Sequence, residues 1–122
     1  MKKLVLGSSL GLLVAGACYI LIYLAFDRTS EFRTQAKLGQ PIVQAIDEYH
    51  KQIGNYPTSL ADLTPKYLTT LPDIGWYYQI ITNGSTISYH LMYYMGKGGV
   101  EYVPSDWIGN DEGHKTVILI NR

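Results

Sequence analysis

The chain has 122 residues and a formal net charge of zero, with 47% hydrophobic and 16% charged residues. This length fits one small domain, and the composition is that of a folded protein with a buried core. The balanced charge provides no basic surface, so nucleic-acid binding is not expected. Because Cys18 is the only cysteine, an internal disulfide is excluded.

An uncharged apolar segment, Leu4–Phe26, follows Lys2 and Lys3 at the N-terminus. As a helix it would extend about 35 Å at 1.5 Å per residue, which is enough to cross the ~30 Å hydrocarbon core of a bilayer. The two lysines favour a cytoplasmic N-terminus, because cytoplasmic flanks are enriched in positive charge. We therefore predict a membrane anchor over residues 1–28 and a domain outside the cytoplasm over residues 29–122.

Two other fates of the N-terminus remain open. Ala15-Gly16-Ala17 is typical of the small-residue sites at which secretory signals are cut, and together with Cys18 it forms a degenerate lipoprotein box. Cleavage there would leave the apolar octet Tyr19–Phe26 at or near the new N-terminus. We therefore prefer an anchor that is retained.

Residues at helical spacing define the surfaces on which the N-terminal helices should pack. In the anchor, small residues at four-residue intervals allow close approach of a second membrane helix: Gly7, Gly11 and Ala15. After a predicted helix start at residues 29–31, an apolar stripe continues to Ile53. The first members of this stripe are Phe32, Ala36, Gly39 and Ile42.

The segment after Ile53 contains clear signals for the end of the helix. Gly54 is predicted to be the left-handed cap, and Pro57 prevents the helix from continuing. Ser59 and Asp62 then have the spacing of a capping box, which predicts a short helix over residues 60–63.

After Pro72 the apolar period changes from helical spacing to two, which is typical of strands. The predicted strands are Trp76–Thr82, Thr86–Met95, Val100–Val103 and Lys115–Ile120. Asn83-Gly84 predicts a tight hairpin between the first two, and Gly96–Gly99 predicts a turn. Residues 104–114 are predicted to be a polar loop, and the apolar last strand is predicted to be central or buried on both faces.

Together these elements predict an α+β fold. An N-terminal transmembrane helix extends into an amphipathic helix, which packs on a small antiparallel sheet of three to four strands. The core would be formed by the helix stripe and one face of the sheet.

The helix end and the segment after it share a longer pattern: A-I-x-x-Y, then G-x-Y-P-x-S-L-x-x-L, then L-P. The residues that carry it are Ala45, Ile46, Tyr49, Gly54, Tyr56, Pro57, Ser59, Leu60, Leu63, Leu71 and Pro72, continued by Gly75, Trp76, Tyr78, Tyr89, Leu91, Gly96 and Gly99. In this pattern the chain resembles the type IV pilin-like proteins, and in particular the major pseudopilins of type II secretion. The resemblance covers roughly residues 35–99. It does not extend to the prepilin peptidase motif, because no candidate glycine is followed by glutamate at the fifth position.

The resemblance implies a pilin-like fold and a domain in the periplasm, attached to the inner membrane by one helix. It also implies a non-enzymatic role as a component or accessory of a type II secretion or type IV pilus-like apparatus. The partners would be pilin-like subunits or further copies of the chain. The resemblance implies that these neighbouring subunits contact the start of the helix stripe, at Phe32, Ala36, Gly39 and Ile42. The alternative is a stand-alone membrane-anchored periplasmic binding or inhibitor protein, similar in role to an immunity protein. Neither role requires a small-molecule substrate.

An acidic, turn-rich stretch near the C-terminus is the candidate metal site. Asp106, Asp111 and Glu112 could offer several oxygen ligands on a flexible loop, as calcium requires. The resemblance also implies calcium in this region. The acidic residue that these proteins usually carry at the glycine-rich turn is missing, however, since the turn at residues 96–99 contains Lys97 instead. A solvated loop without metal is therefore the alternative, and no other cofactor is expected.

Tyrosine is unusually frequent, with 11 residues in the chain. Its side chain combines a large apolar area with a polar tip, which suits protein interfaces. Tyr77 and Tyr94 on the predicted sheet are therefore candidate contacts for a protein partner. The alternative is that the tyrosines complete a small core.

Overall fold

The computed structural model describes the backbone of residues 2–120 and the side chains of residues 14–19 and 29–120. The chain divides into two compact units, Met1–Glu31 and Phe32–Arg122. A single helix, α1, covers Lys2–Ile53. The two helices predicted on either side of residue 29 are therefore one continuous helix.

Among the described residues, none of the helices is both long and apolar enough to cross a membrane. Most of the predicted span Leu4–Phe26 lies outside the residues whose side chains are described, and so do the surroundings of Gly7 and Gly11. The third small residue of the predicted packing face, Ala15, is exposed within the first unit.

The second unit contains one antiparallel sheet in which each strand pairs with its neighbours in the chain, in the order β1-β2-β3-β4-β5. The strands are β1 (Trp76–Asn83), β2 (Thr86–Met95), β3 (Gly98–Val103), β4 (Asp106–Asp111) and β5 (His114–Ile118). The α+β class is thus confirmed, whereas the predicted number of three to four strands is wrong. The additional strand, β4, lies in the stretch predicted to be a polar loop.

Strand β4 has a weak signal in the sequence because only two of its residues face the core. Trp107 and Gly109 are buried, and a glycine contributes no apolar side chain to the alternation. The strand exists because it pairs with β3 from Val103 opposite Asp106 to Gly99 opposite Asn110. Pairing between strands, rather than local hydrophobicity, therefore determines this element.

Strand β5 also differs from the prediction. It is an edge strand that pairs only with β4 within the described residues, and its first four residues are exposed. Ile118 is its buried residue, whereas Val117 and Leu119 are 57% and 50% exposed. The prediction of a central strand was wrong because β4 lies between β5 and the rest of the sheet.

The core of the second unit lies between α1 and one face of the sheet, here called the inner face. The buried helix residues are Phe32, Ala36, Ile42, Val43, Ala45 and Ile46, and the buried sheet residues are Trp76, Tyr89, Leu91, Val100, Tyr102, Trp107 and Ile118. Gly39 permits the closest approach, since a Cβ at that position would collide with the indole rings of Trp76 and Trp107.

The connection between helix and sheet follows the prediction closely. Gly54 has a φ of 92°, and its N–H donates to the carbonyl of His50 at 2.8 Å, so the left-handed cap is confirmed. A short 3₁₀ helix covers Leu60–Leu63. The Asp62 carboxylate accepts a hydrogen bond from the Thr58 hydroxyl, which is the main cause of its lowered pKa. Hydrogen bonds from the backbone N–H groups of Ser59 and Thr58 lower this pKa further.

Candidate interaction surface

The face of the sheet opposite α1, here called the outer face, carries the two tyrosines predicted to contact a partner. Tyr77 lies opposite Met92 in the β1–β2 register, so Tyr94 is the next residue of β2 on the same face. The rings of Tyr77 and Tyr94 meet edge to face with their centroids 5.3 Å apart. Both remain more than half exposed, at 56% and 62%. The structure thus brings these two residues together on an open surface.

A groove of about 300 Å³ lies beside this tyrosine pair. Its lining includes Met92, Tyr94, Glu101 and Asn110, and the backbone of Gly98-Gly99 contributes to it as well. The glycines are required by backbone packing: a Cβ at Gly99 would collide with the carbonyl oxygen of Tyr93, and one at Gly98 with that of Asn110. The predicted Gly96–Gly99 turn is therefore shorter than expected, since β3 already begins at Gly98.

Two ion pairs lie beside the groove. The Lys115 ammonium is 3.5 Å from the Glu101 carboxylate, and the Lys97 ammonium is 3.7 Å from that of Glu112. Most of these side chains are well exposed, so each pair contributes about 0–1 kcal/mol to stability. Their main effect is to leave this part of the outer face without an excess of either charge.

The predicted calcium site is not formed. Asp106 and Asp111 are the first and last residues of β4, so they lie about 17 Å apart at the usual rise of ~3.3 Å per residue. Glu112 pairs with Lys97 instead. No group of three His, Cys, Asp or Glu residues that could hold a metal occurs in the described part of the chain. The prediction failed because the acidic residues occupy both ends of a strand rather than one loop.

The predicted contact surface for neighbouring subunits is used within the chain. Phe32, Ala36 and Ile42 are at most 7% exposed and belong to the core. Gly39 is buried against the two tryptophans, as described above. The interface assignment of these four residues was therefore wrong. Helical periodicity identified the apolar side of the helix correctly but could not tell which surface would cover it.

Polar contacts between α1 and the sheet were not predicted. The Tyr89 hydroxyl donates to Oδ1 of Asp47 at 3.0 Å, and the indole N–H of Trp107 donates to Oε1 of Gln40 at 2.8 Å. Burial raises the pKa of Tyr89, and the neighbouring Asp47 carboxylate adds to this shift. No local sequence signal identifies these pairs, because each joins segments that are more than 40 residues apart.

A third tyrosine fixes the segment after the helix to the sheet. The Tyr78 hydroxyl donates to the carbonyl of Pro57 at 2.8 Å. Burial raises the pKa of Tyr78 to about 12, so the donor remains protonated well above neutral pH. Tyr78 and Tyr89 on the inner face thus act as structural donors, in contrast to the exposed pair on the outer face.

No protein-family model matches the chain, and neither a curated protein nor a solved structure matches it. Function must therefore be inferred from the residues of this chain, from its fold and from its sequence pattern.

Proposed function

We propose that this protein is a membrane-anchored, pilin-like component or accessory of a type II secretion or type IV pilus-like apparatus, with a non-enzymatic role. The observation that carries the proposal is α1, one helix over Lys2–Ile53 that includes both the apolar N-terminal segment and the stripe on which the sheet packs. A subunit built in this way can make contacts in the membrane through one part of a helix while the other part holds a folded domain.

The structural roles of the pattern residues support the resemblance. Gly54 is the left-handed cap, Pro57 is buried, and Leu63 is a fully buried residue of the short helix. Tyr78 and Tyr89 both donate hydrogen bonds that connect the sheet to the helix or to the segment after it. The shared pattern therefore consists of residues that specify how a long helix ends and joins a sheet.

The proposed location is the inner membrane, with the N-terminus in the cytoplasm and the second unit in the periplasm. Lys2 and Lys3 before the apolar segment support this orientation. The partners would be helices of pilin-like subunits, contacted through the small-residue face at Gly7, Gly11 and Ala15. These residues replace the buried stripe as the proposed site of helix contacts.

Substitution of Gly11 tests the proposal in native membranes. Gly11→Leu should reduce chemical crosslinking to neighbouring membrane proteins, because a large side chain prevents close approach of helices. Gly16→Leu is the matched control, since residue 16 is offset from Gly11 by about 140° on a helix of 3.6 residues per turn. Unchanged crosslinking of Gly11→Leu, or equal losses in both variants, would contradict assembly through this face.

The exposed tyrosine pair favours a second function, that of a stand-alone periplasmic binding or inhibitor protein. A protein partner bound on the outer face would contact Tyr77 and Tyr94, which are open and adjacent. In this case Gly11→Leu should be silent, whereas Tyr94→Asp should abolish complex formation. The two variants in one crosslinking experiment therefore distinguish the candidates.

A further inference from the structure

Strand β1 presents an unprotected edge of the sheet. Within the described residues it pairs only with β2, so one side of its eight-residue backbone has no partner strand. Its sequence, WYYQIITN, contains no charged residue, no proline and no glycine. Soluble proteins usually protect edge strands with such residues or with bulges, because an open edge pairs readily with another chain. The edge of β1 therefore has the composition of a pairing site.

The opposite edge of the sheet is protected. Strand β5 has five residues and includes His114 and Lys115 on exposed positions. Short length and a lysine are common means of preventing edge-to-edge association. One edge of the sheet is therefore protected and the other is uncharged. This difference points to β1 as the edge that pairs with another chain.

The residue order in β1 makes it complementary to itself. If two copies pair antiparallel with Gln79 opposite Gln79, the tyrosine at 77 meets the isoleucine at 81, and the tyrosine at 78 meets the isoleucine at 80. Each pair joins two odd-numbered or two even-numbered residues, and residues of the same parity lie on the same face of a strand. The inner face of one sheet would therefore continue into the inner face of the other. Pairs of aromatic and β-branched side chains are favourable across antiparallel strands, and the two amides at the centre can hydrogen-bond to each other.

Several side chains of β1 are exposed, as expected for an edge strand that another chain can reach. Tyr77 is 56% exposed and Ile80 is 37% exposed, and Gln79 is exposed as well. Just before the strand, Leu71 and Ile74 are 61% and 94% exposed. Apolar side chains are thus exposed both on β1 and in the segment that leads into it.

We propose that two copies of the chain associate through β1, paired antiparallel about Gln79, so that their sheets join into one sheet of ten strands. The contact is isologous, since the same strand is used by both copies. It does not require contacts in the membrane segment, so its test is independent of the Gly11→Leu experiment. A second copy is the best partner for this edge because the side chains of residues 76–82 each meet another residue of the same stretch.

Opposite charges at position 79 provide the main test. In the full chain in detergent, Gln79→Lys and Gln79→Glu should each weaken dimer formation by about tenfold or more, because like charges would lie directly opposite each other. An equal mixture of the two variants should recover the dimer as a heterodimer. The measurement is the concentration dependence of the molar mass by light scattering. Val117→Lys on the exposed outer face of β5 is the control and should leave the dimer unchanged.

Cysteine crosslinking tests the register. In a Cys18→Ser background, Gln79→Cys should form a disulfide-linked dimer, since directly opposite Cα atoms lie about 4.5–5.5 Å apart. Tyr77→Cys should crosslink efficiently only when mixed with Ile81→Cys. A wild-type chain that stays monomeric, a mixture of charged variants that fails to recover the dimer, or crosslinking of Gln79→Cys to a different protein alone would each overturn the proposal.

Discussion

The two faces of the sheet are made of alternate residues of the same strands, yet they have different roles. On the inner face, Trp76, Tyr89 and Trp107 are at most 9% exposed. On the outer face, Tyr77 and Tyr94 are more than half exposed. Residues of similar size and chemistry therefore form the core on one side and an open surface on the other, depending only on the parity of their positions.

The inner face differs further in that its aromatic rings form a continuous series of contacts. The centroid distances are 5.3 Å for Tyr56–Tyr89, 5.9 Å for Tyr89–Tyr102, 5.2 Å for Tyr102–Trp107 and 6.1 Å for Trp107–Trp76. Such pairs contribute about 0.5–1.5 kcal/mol each beyond the area that they bury. A high tyrosine content thus does not by itself indicate a binding surface, since much of it serves the core.

Truncation of one aromatic residue on each face should show the largest contrast. Trp107→Ala should reduce the free energy of unfolding by about 3–5 kcal/mol, because it leaves a cavity and removes the hydrogen bond to Gln40. Tyr94→Ala should change it by less than about 1 kcal/mol. Urea unfolding of the full chain, followed by circular dichroism, measures both. Similar losses in the two variants would show that the faces do not differ as described.

A second, smaller contrast is expected between two neighbouring residues of α1, of which one contacts the inner face and the other is exposed. Gly39→Ala should destabilise the protein by about 1–3 kcal/mol, because the added methyl group must displace the rings of Trp76 and Trp107. Leu38→Ala, at a neighbouring position that is 61% exposed, should have little effect. The fluorescence of the two tryptophans should change in Gly39→Ala and remain unchanged in the control. A Gly39→Ala protein as stable as the wild type would contradict the close packing.

The elements with local signals could be predicted from the sequence. Gly54, the short helix at Leu60–Leu63 and the Asn83-Gly84 hairpin each depend on a few adjacent residues, and the structure contains all three. Strand β4 and the edge position of β5 depend on which strands pair. Since that information is not contained in a window of a few residues, periodicity alone could not supply it.

The candidate site was only partly predictable for the same reason. Alternation in β2 placed Tyr94 on the face opposite to Tyr89, and strand pairing brought it beside Tyr77. The calcium prediction is wrong because residues that are close in sequence are not close in space here: strand β4 separates Asp106 from Asp111. The contact between Asp47 and Tyr89 was missed because it depends on how α1 crosses the sheet.

The smallest expected contrast is that of a single hydroxyl group on each face. Tyr89→Phe removes the hydrogen bond to Asp47, which should cost about 1–2 kcal/mol of unfolding free energy because the acceptor is a carboxylate. Tyr77→Phe, on the exposed outer face, should change it by less than about 0.5 kcal/mol. Thermal unfolding of the two variants at neutral pH gives this comparison directly.

Alkaline pH should sharpen the comparison, because burial raises the pKa of Tyr89 above the ordinary value of 10.0. As the pH rises above about 10, Tyr89 ionises in the unfolded chain but stays protonated in the folded one, so the unfolded state is favoured and stability falls. Burial raises the pKa of Tyr78 in the same direction. In Tyr89→Phe the loss of stability between pH 9.5 and pH 11 (about the range in which free tyrosine ionises) should be smaller than in the wild type. Equal pH dependence in Tyr89→Phe and the wild type would show that Tyr89 ionises freely in the folded state.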